Sequence, residues 1–205
     1  HAVDLFHIFK LNENLSKKYE VSIFRFNPNQ TRKTNVYDFE NFLLNKKNVN
    51  EKSINLYKNS DIIVFNTRWI YTDLEKLEKI IFILKKAGKK IIIVTSPAEF
   101  PIINDNIKLF TIIDSFVYKN KRLPNLAEKI KIEKEYYLKR NIDNKDVNII
   151  NNRLKKIAKK NNIALLNSND YLCNEEEQRC DFFTDNNEKI SFDYGHYSIA
   201  GARYL

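Results

Sequence analysis

Ile62-Ile-Val-Phe-Asn-Thr-Arg-Trp-Ile-Tyr-Thr-Asp-Leu-Glu-Lys-Leu-Glu-Lys-Ile-Ile-Phe-Ile-Leu-Lys-Lys-Ala-Gly-Lys-Lys-Ile-Ile-Ile-Val94 is the stretch on which the fold turns. Its two ends, Ile62–Phe65 and Ile91–Val94, are unbroken apolar runs without polar alternation. Such runs read as strands covered on both faces, the situation inside a parallel sheet. Between them Leu74, Leu77, Ile81 and Leu84 recur at helical spacing and share one face. Thr72-x-x-Glu75 reads as a capping box that opens this helix, and Gly88 as its stop. Strand, helix, strand with short loops is a crossover unit of an α/β protein.

The same alternation continues outward. Ile163-Ala-Leu-Leu166 is a third buried strand, preceded by a helix with Val147, Ile150, Leu154 and Ile157 on one side. Val21-Ser-Ile-Phe-Arg-Phe26 mixes apolar and polar residues, as a half-exposed edge strand would, and the first fifteen or so residues, with Leu5, Phe6 and Phe9, read as a helix. The pattern predicts one doubly wound α/β domain over residues 1–205, a parallel sheet between helical layers. Residues 104–146 lack clean periodicity until a helix around Leu126–Leu138. They form a long excursion that either covers an active site or is a surface insertion.

A chain of 205 residues, 43% hydrophobic and 13% aromatic, can bury a core of its own. No apolar run approaches the roughly 20 residues needed to cross a bilayer. The formal charge is +9, with the densest basic stretch at Val117–Arg140, where eight Lys and Arg face three Glu. No helix-turn-helix or zinc-finger spacing accompanies it, so nucleic acid is not the expected partner. The run is either a solvated lysine-rich face or an attraction for an anionic glycan or lipid headgroup. Gly-rich phosphate loops and metal-ligand clusters are missing from the sequence, so no cofactor is expected.

Chemistry concentrates at the C-terminal end, Ser191-Phe-Asp193-Tyr-Gly-His196-Tyr-Ser198-Ile-Ala-Gly201-Ala. An Asp three residues before a His can fix the imidazole's tautomer and steady its positive charge, while the second ring nitrogen takes a proton from a hydroxyl nucleophile. Ser198 is placed to cap a terminal helix and pin the loop. His7 falls near apolar residues and reads as a packed or surface histidine; Ser96-Pro97 reads as a turn. The chain begins at His1-Ala2, which reads as the continuation of a motif cut one residue too late.

Four places together carry a family resemblance: His1-Ala2, Asn66-Thr-Arg68-Trp69, Ser96-Pro97-Ala-Glu99-Phe100, and Asp193-x-x-His196 with Ser198 and Gly201-Ala202. The chain resembles the SGNH (GDSL-type) serine esterase and acyltransferase superfamily, in the branch whose extracytoplasmic SGNH domain is fused to membrane acyltransferases of the acyltransferase-three type. The resemblance implies a three-layer, flavodoxin-like sandwich of strand order 2-1-3-4-5. Its first central strand and its nucleophilic Ser are then expected just before residue 1, and the fragment alone is expected to be inactive. An empty slot of two strand spacings, each roughly 4.8 Å, should separate residues 21–26 from 62–65.

His196 would be the general base and Asp193 its orienter. Asn66 is either an oxyanion donor or a strand-end turn amide, and Arg68 is either its competitor or a rim cation paired with Asp73 or Glu99. Trp69 and Tyr71 either offer a stacking surface for a sugar or close the core. The family's glycine donor has no counterpart, because the three glycines are Gly88, Gly195 and Gly201 and none closely follows Phe26. Cys173 and Cys180, separated by a polar run, are expected to form a disulfide, on the resemblance as much as on their spacing. The implied activity is O-acyl transfer, commonly of acetyl, from a donor handed over by an upstream membrane acyltransferase domain in the same polypeptide. The acceptor would be a cell-envelope glycan such as lipopolysaccharide O-antigen or peptidoglycan, at the periplasmic face of the inner membrane. An esterase and a non-catalytic glycan-binding or assembly domain are the alternatives.

Overall fold

A computed structural model describes residues 2–23, 39–40, 42–44, 51–105, 108–142, 145–193 and 195–204. In chain order the elements are α1 (Ala2–Leu11), α2 (Glu13–Lys18), α3 (Glu51–Asn59), β1 (Ile62–Phe65), α4 (Tyr71–Lys86), β2 (Lys90–Val94), β3 (Ile103–Asp105), β4 (Lys108–Phe110), α5 (Ile112–Asn120), α6 (Leu126–Lys139), α7 (Asp146–Asn161), β5 (Ala164–Leu166), β6 (Cys173–Asn174), β7 (Arg179–Cys180) and α8 (Ile199–Tyr204).

The main sheet is parallel, in the order β1-β2-β5, with Ile62 opposite Lys90 and Ile92 opposite Ala164. Helices α4 and α7 pack against each other. Their inward residues Leu77, Ile80, Ile81, Leu84, Ile150 and Leu154 form one core with Ile63, Phe65, Ile91 and Ile93 of the strands. Removing these side chains from water is the main stabilising term, at roughly 1.5–3 kcal/mol for each large aliphatic group. The α/β class and parallel sheet read from the sequence are therefore present.

The apolar runs are not covered on both faces. Alternate residues turn to a less enclosed side, where Val64 is 39% exposed and Ile62 and Ile92 are half-buried. Period-two geometry gives a strand two faces, but an all-apolar run does not say whether each is covered. Likewise β5 was expected to be buried and is only partly so, with Ala164 exposed.

Helix α4 starts two residues earlier than the Thr72 box implies. Ile70 is its N-cap, and the Asp73 carboxylate accepts from the Ile70 amide at 3.2 Å, so the reciprocal half of a box is supplied two residues upstream of Glu75. Gly88 ends this region at φ 73°, the left-handed region where a Cβ is costly. The N-terminal helix breaks at Asn12, whose side chain accepts from the Leu15 amide and begins α2. Val21–Ile23 join no strand; the rest of the expected edge strand, and with it the slot beside β1, lies outside the described residues.

The 104–146 excursion holds the expected α6 and, in addition, the β3–β4 hairpin and α5. Thr111 caps α5 by accepting from the Asp114 amide at 3.2 Å, and Asp114 accepts back from the Thr111 amide at 3.1 Å. A second core lies here: Tyr136 and Phe182 stack at 3.4 Å between centroids, and Phe100 meets both edge-on. Burial pushes the Tyr136 phenol up to about 12, and its oxygen accepts from the Ile113 amide at 3.3 Å.

Candidate active site

Loops at the carboxyl ends of the strands are where an open α/β sheet places its ligands. After β1 come Asn66, half-buried, and Arg68, whose guanidinium donates to Glu99 across 2.9 Å. That carboxylate sits in the loop after β2, which is tied down twice. Asn151 of α7 accepts from the Ser96 amide at 2.9 Å and donates to the Ser96 carbonyl at 3.0 Å. Asn141 accepts from the Glu99 amide at 2.8 Å, and its own amide donates to the Glu99 carbonyl at 2.7 Å. Trp69 is 2% exposed and donates from its indole to the Val94 carbonyl at 2.8 Å. It closes the core between two strand ends and does not offer a stacking face. Tyr71 is exposed, with the Arg153 guanidinium over its ring.

The C-terminal loop is held by backbone. The Ile190 amide donates to the Phe182 carbonyl at 3.0 Å, the Ser198 amide to the Ile190 carbonyl at 2.8 Å, and the Phe192 amide to the His196 carbonyl at 3.1 Å. Through Phe182 this loop shares its core with Phe100, four residues beyond Ser96. Ser198 caps α8, accepting from the Gly201 amide at 2.9 Å while its hydroxyl donates to the Lys189 carbonyl. Gly201 is required by close approach: a Cβ there would lie 2.1 Å from the Ile190 carbonyl oxygen, a backbone atom. Helix α8 packs against α1, so the turn after His196 lies beside the amino-terminal helix.

Within this loop His196 Nδ1 is 2.7 Å from Asp193 Oδ2 and 3.0 Å from Oδ1. Asp193 Oδ1 also accepts from the Gly195 amide at 2.9 Å and the His196 amide at 2.8 Å. Burial works to raise the Asp193 pKa, but the Gly195 amide, the imidazole and the His196 amide outweigh it and hold the carboxyl below its ordinary value of 3.8. Asp193 is therefore ionised at neutral pH, and a carboxylate on Nδ1 keeps the proton there, directing Nε2 to exchange protons with a reactant. The His196 side chain is about one-third exposed. The Phe192 ring lies 5.8 Å from the imidazole at an interplanar angle of 19°.

Asp193 and His196 are thus brought together as expected, while Arg68 pairs with Glu99, one of the two partners foreseen for a rim cation. Phe192 and the Gly195 amide had no sequence signal. Asn151 had one: it falls on the apolar face of α7, between Val147 and Leu154, where an amide must find a buried partner. Cys173 and Cys180 form a disulfide, across the β6–β7 pair. Among the described residues there is no group of three or more His, Cys, Asp or Glu fit to hold a metal, and no helix long and apolar enough to cross a membrane.

A parallel α/β domain with an Asp–His pair on its C-terminal loop has the architecture of an SGNH-type domain. The chain belongs to that family: residues 28–205 match the family described as SGNH domain (fused to AT3 domains). Among solved structures it is similar in fold to the periplasmic domain of the lipopolysaccharide acetyltransferase of Salmonella ser. Paratyphi A, with a TM-score of 0.51 and 18% identity over 75% of this chain. The match spans 57% of that domain's length. An acetyl xylan esterase, AlAXEase, aligns at TM-score 0.43 and 19% identity, over 83% of this chain and 72% of that one. No curated protein matches by sequence.

Proposed function

We propose that residues 1–205 form a single acyl-transfer domain in which His196 is the general base and Asp193 its orienter. The observation that carries this reading is the 2.7 Å contact from Asp193 to Nδ1, with the carboxylate itself fixed by two backbone amides. That arrangement directs Nε2 to the reacting hydroxyl. The nucleophile is a serine, expected immediately before His1.

In the first half-reaction the serine oxygen attacks the donor's acyl carbonyl as its proton passes to His196. The tetrahedral intermediate collapses, the leaving group departs with that proton, and an acyl-serine remains. In the second, an acceptor hydroxyl attacks the acyl-serine, again losing its proton to His196, and the serine recovers a proton as it leaves. Asn66, one residue beyond β1 at the carboxyl end of the sheet, is the oxyanion donor we favour. Family membership supports a membrane AT3 domain upstream in the same polypeptide as the source of the acyl group. The fold of the lipopolysaccharide acetyltransferase domain supports an acetyl group, a cell-envelope glycan acceptor and a periplasmic site.

The test has two parts. Reading the codons before His1 should reveal a Gly-Asp-Ser element. In the polypeptide that includes the upstream segment, acylation of envelope glycan measured by mass spectrometry should fall by roughly 10³-fold or more in His196→Ala. Equal acylation by the variant would remove His196 from the mechanism, and acyl release without glycan modification would make the protein an esterase.

A further inference from the structure

Helix α6 is amphipathic twice over. Its inner side buries Ile132, Glu133 and Tyr136. On the outward side Leu126 is 76% exposed, Leu138 73% and Ile130 36%, with exposed Lys131 and Lys134 between them. At 3.6 residues per turn these five positions fall within an arc of about 140°. Just before the helix, Leu123 is 63% exposed, in the loop from α5 that also presents Lys121. Leucines that stand this far into solvent contribute nothing to the domain's own core, and a row of them interleaved with lysines marks a docking surface.

We infer that this face of α6, with the loop before it, docks on an anionic phospholipid surface. Charge complementarity selects the partner: Val117–Arg140 carries eight basic residues against three acidic. Two of those three carboxylates are neutralised locally, Glu128 by Arg122 at 2.6 Å and Glu135 by Lys139 at 2.6 Å, while Glu133 lies on the buried side. Arg140 is likewise engaged, by Glu175 of the β6–β7 loop at 3.1 Å, so the positive charge of the outward face rests on Lys131 and Lys134. Aliphatic side chains select a lipid over a glycan, because leucines gain by entering the acyl boundary and offer a sugar ring neither stacking nor hydrogen bonds. The lysine stems can lie along the same apolar surface while their ammonium groups reach phosphates. Two copies pressed face to face would bring these lysines together, so self-association is disfavoured.

This inference is independent of the acyl-transfer reading and is tested on the 205-residue chain. Its sedimentation with phosphatidylcholine vesicles is compared with and without phosphatidylglycerol. Binding is expected to require phosphatidylglycerol and to weaken with added salt. It should fall about tenfold or more both in Leu126→Ser/Leu138→Ser and in Lys131→Glu/Lys134→Glu. Circular dichroism melts check that the variants fold, and hydrogen exchange of the unaltered chain should show vesicle-dependent protection within 121–138, a readout that no variant can confound. The inference is overturned if the chain ignores anionic vesicles, or if either pair of substitutions leaves binding unchanged in a folded protein. It is equally overturned if a soluble anionic polysaccharide binds through the lysines without the leucines, or if light scattering shows leucine-dependent dimers in place of vesicle binding.

Discussion

Asp193 works through geometry and charge together. Its carboxylate accepts two amides and one imidazole N–H, so replacing one oxygen by NH₂ in Asp193→Asn would present a donor to Nδ1 and favour the wrong tautomer. Glycan acylation should drop by roughly 10³- to 10⁴-fold while the melting temperature moves little, with kinetics and calorimetry on the same preparation as the check. The pH response has a defined sign. Because the folded state holds Asp193 below its ordinary 3.8, the carboxylate's contribution to stability is present above that value. It is lost as the pH falls through the lowered folded-state pKa. Denaturant titrations through that range should show wild type losing more stability than Asp193→Asn; parallel curves would mean that the pair is not formed in solution.

At the scale of elements, the strand-end loop after β2 is ordered by residues distant in the chain. The Asn151 side chain on α7 pairs with both the amide and the carbonyl of Ser96, and Asn141, just past α6, meets Glu99 through its side-chain oxygen and its own backbone amide; Glu99 in turn grips Arg68. Asn151→Ala would strand two buried backbone groups and should cost about 2 kcal/mol or more in urea unfolding. An effect no larger than that of an exposed Asn→Ala change would show that water replaces the amide. Helix α4 was legible because its leucines repeat at helical spacing; its start was not, because the N-cap is Ile70, which carries no capping side chain, and only Asp73 reaching back to its amide marks the position. Helix α5 escaped notice although Thr111-x-x-Asp114 stood at its start and Ile112, Ile113, Phe116 and Val117 share one face, since nine residues give that pattern too few repeats to stand out.

For the molecule as a whole, the Cys173–Cys180 bridge closes an eight-residue loop that lies against α6. Restricting the unfolded chain in this way is worth about 2.5 kcal/mol by loop-closure entropy. The double Cys→Ser protein should therefore melt lower by calorimetry, with the Asp193–His196 pair still assembled, because its loop hangs on Ile190 and Phe182. Local periodicity was enough to determine the α/β class, the identity of the Asp–His pair three residues apart and the cap at Ser198, all of which depend on neighbours along the chain. Which strand face is enclosed, that Trp69 is core, that Arg68 belongs to Glu99 and that Gly201 must lack a side chain beside Ile190 were decided only in three dimensions. Those outcomes depend on contacts between segments tens of residues apart or on backbone passing within van der Waals reach, and no spacing in the sequence encodes either.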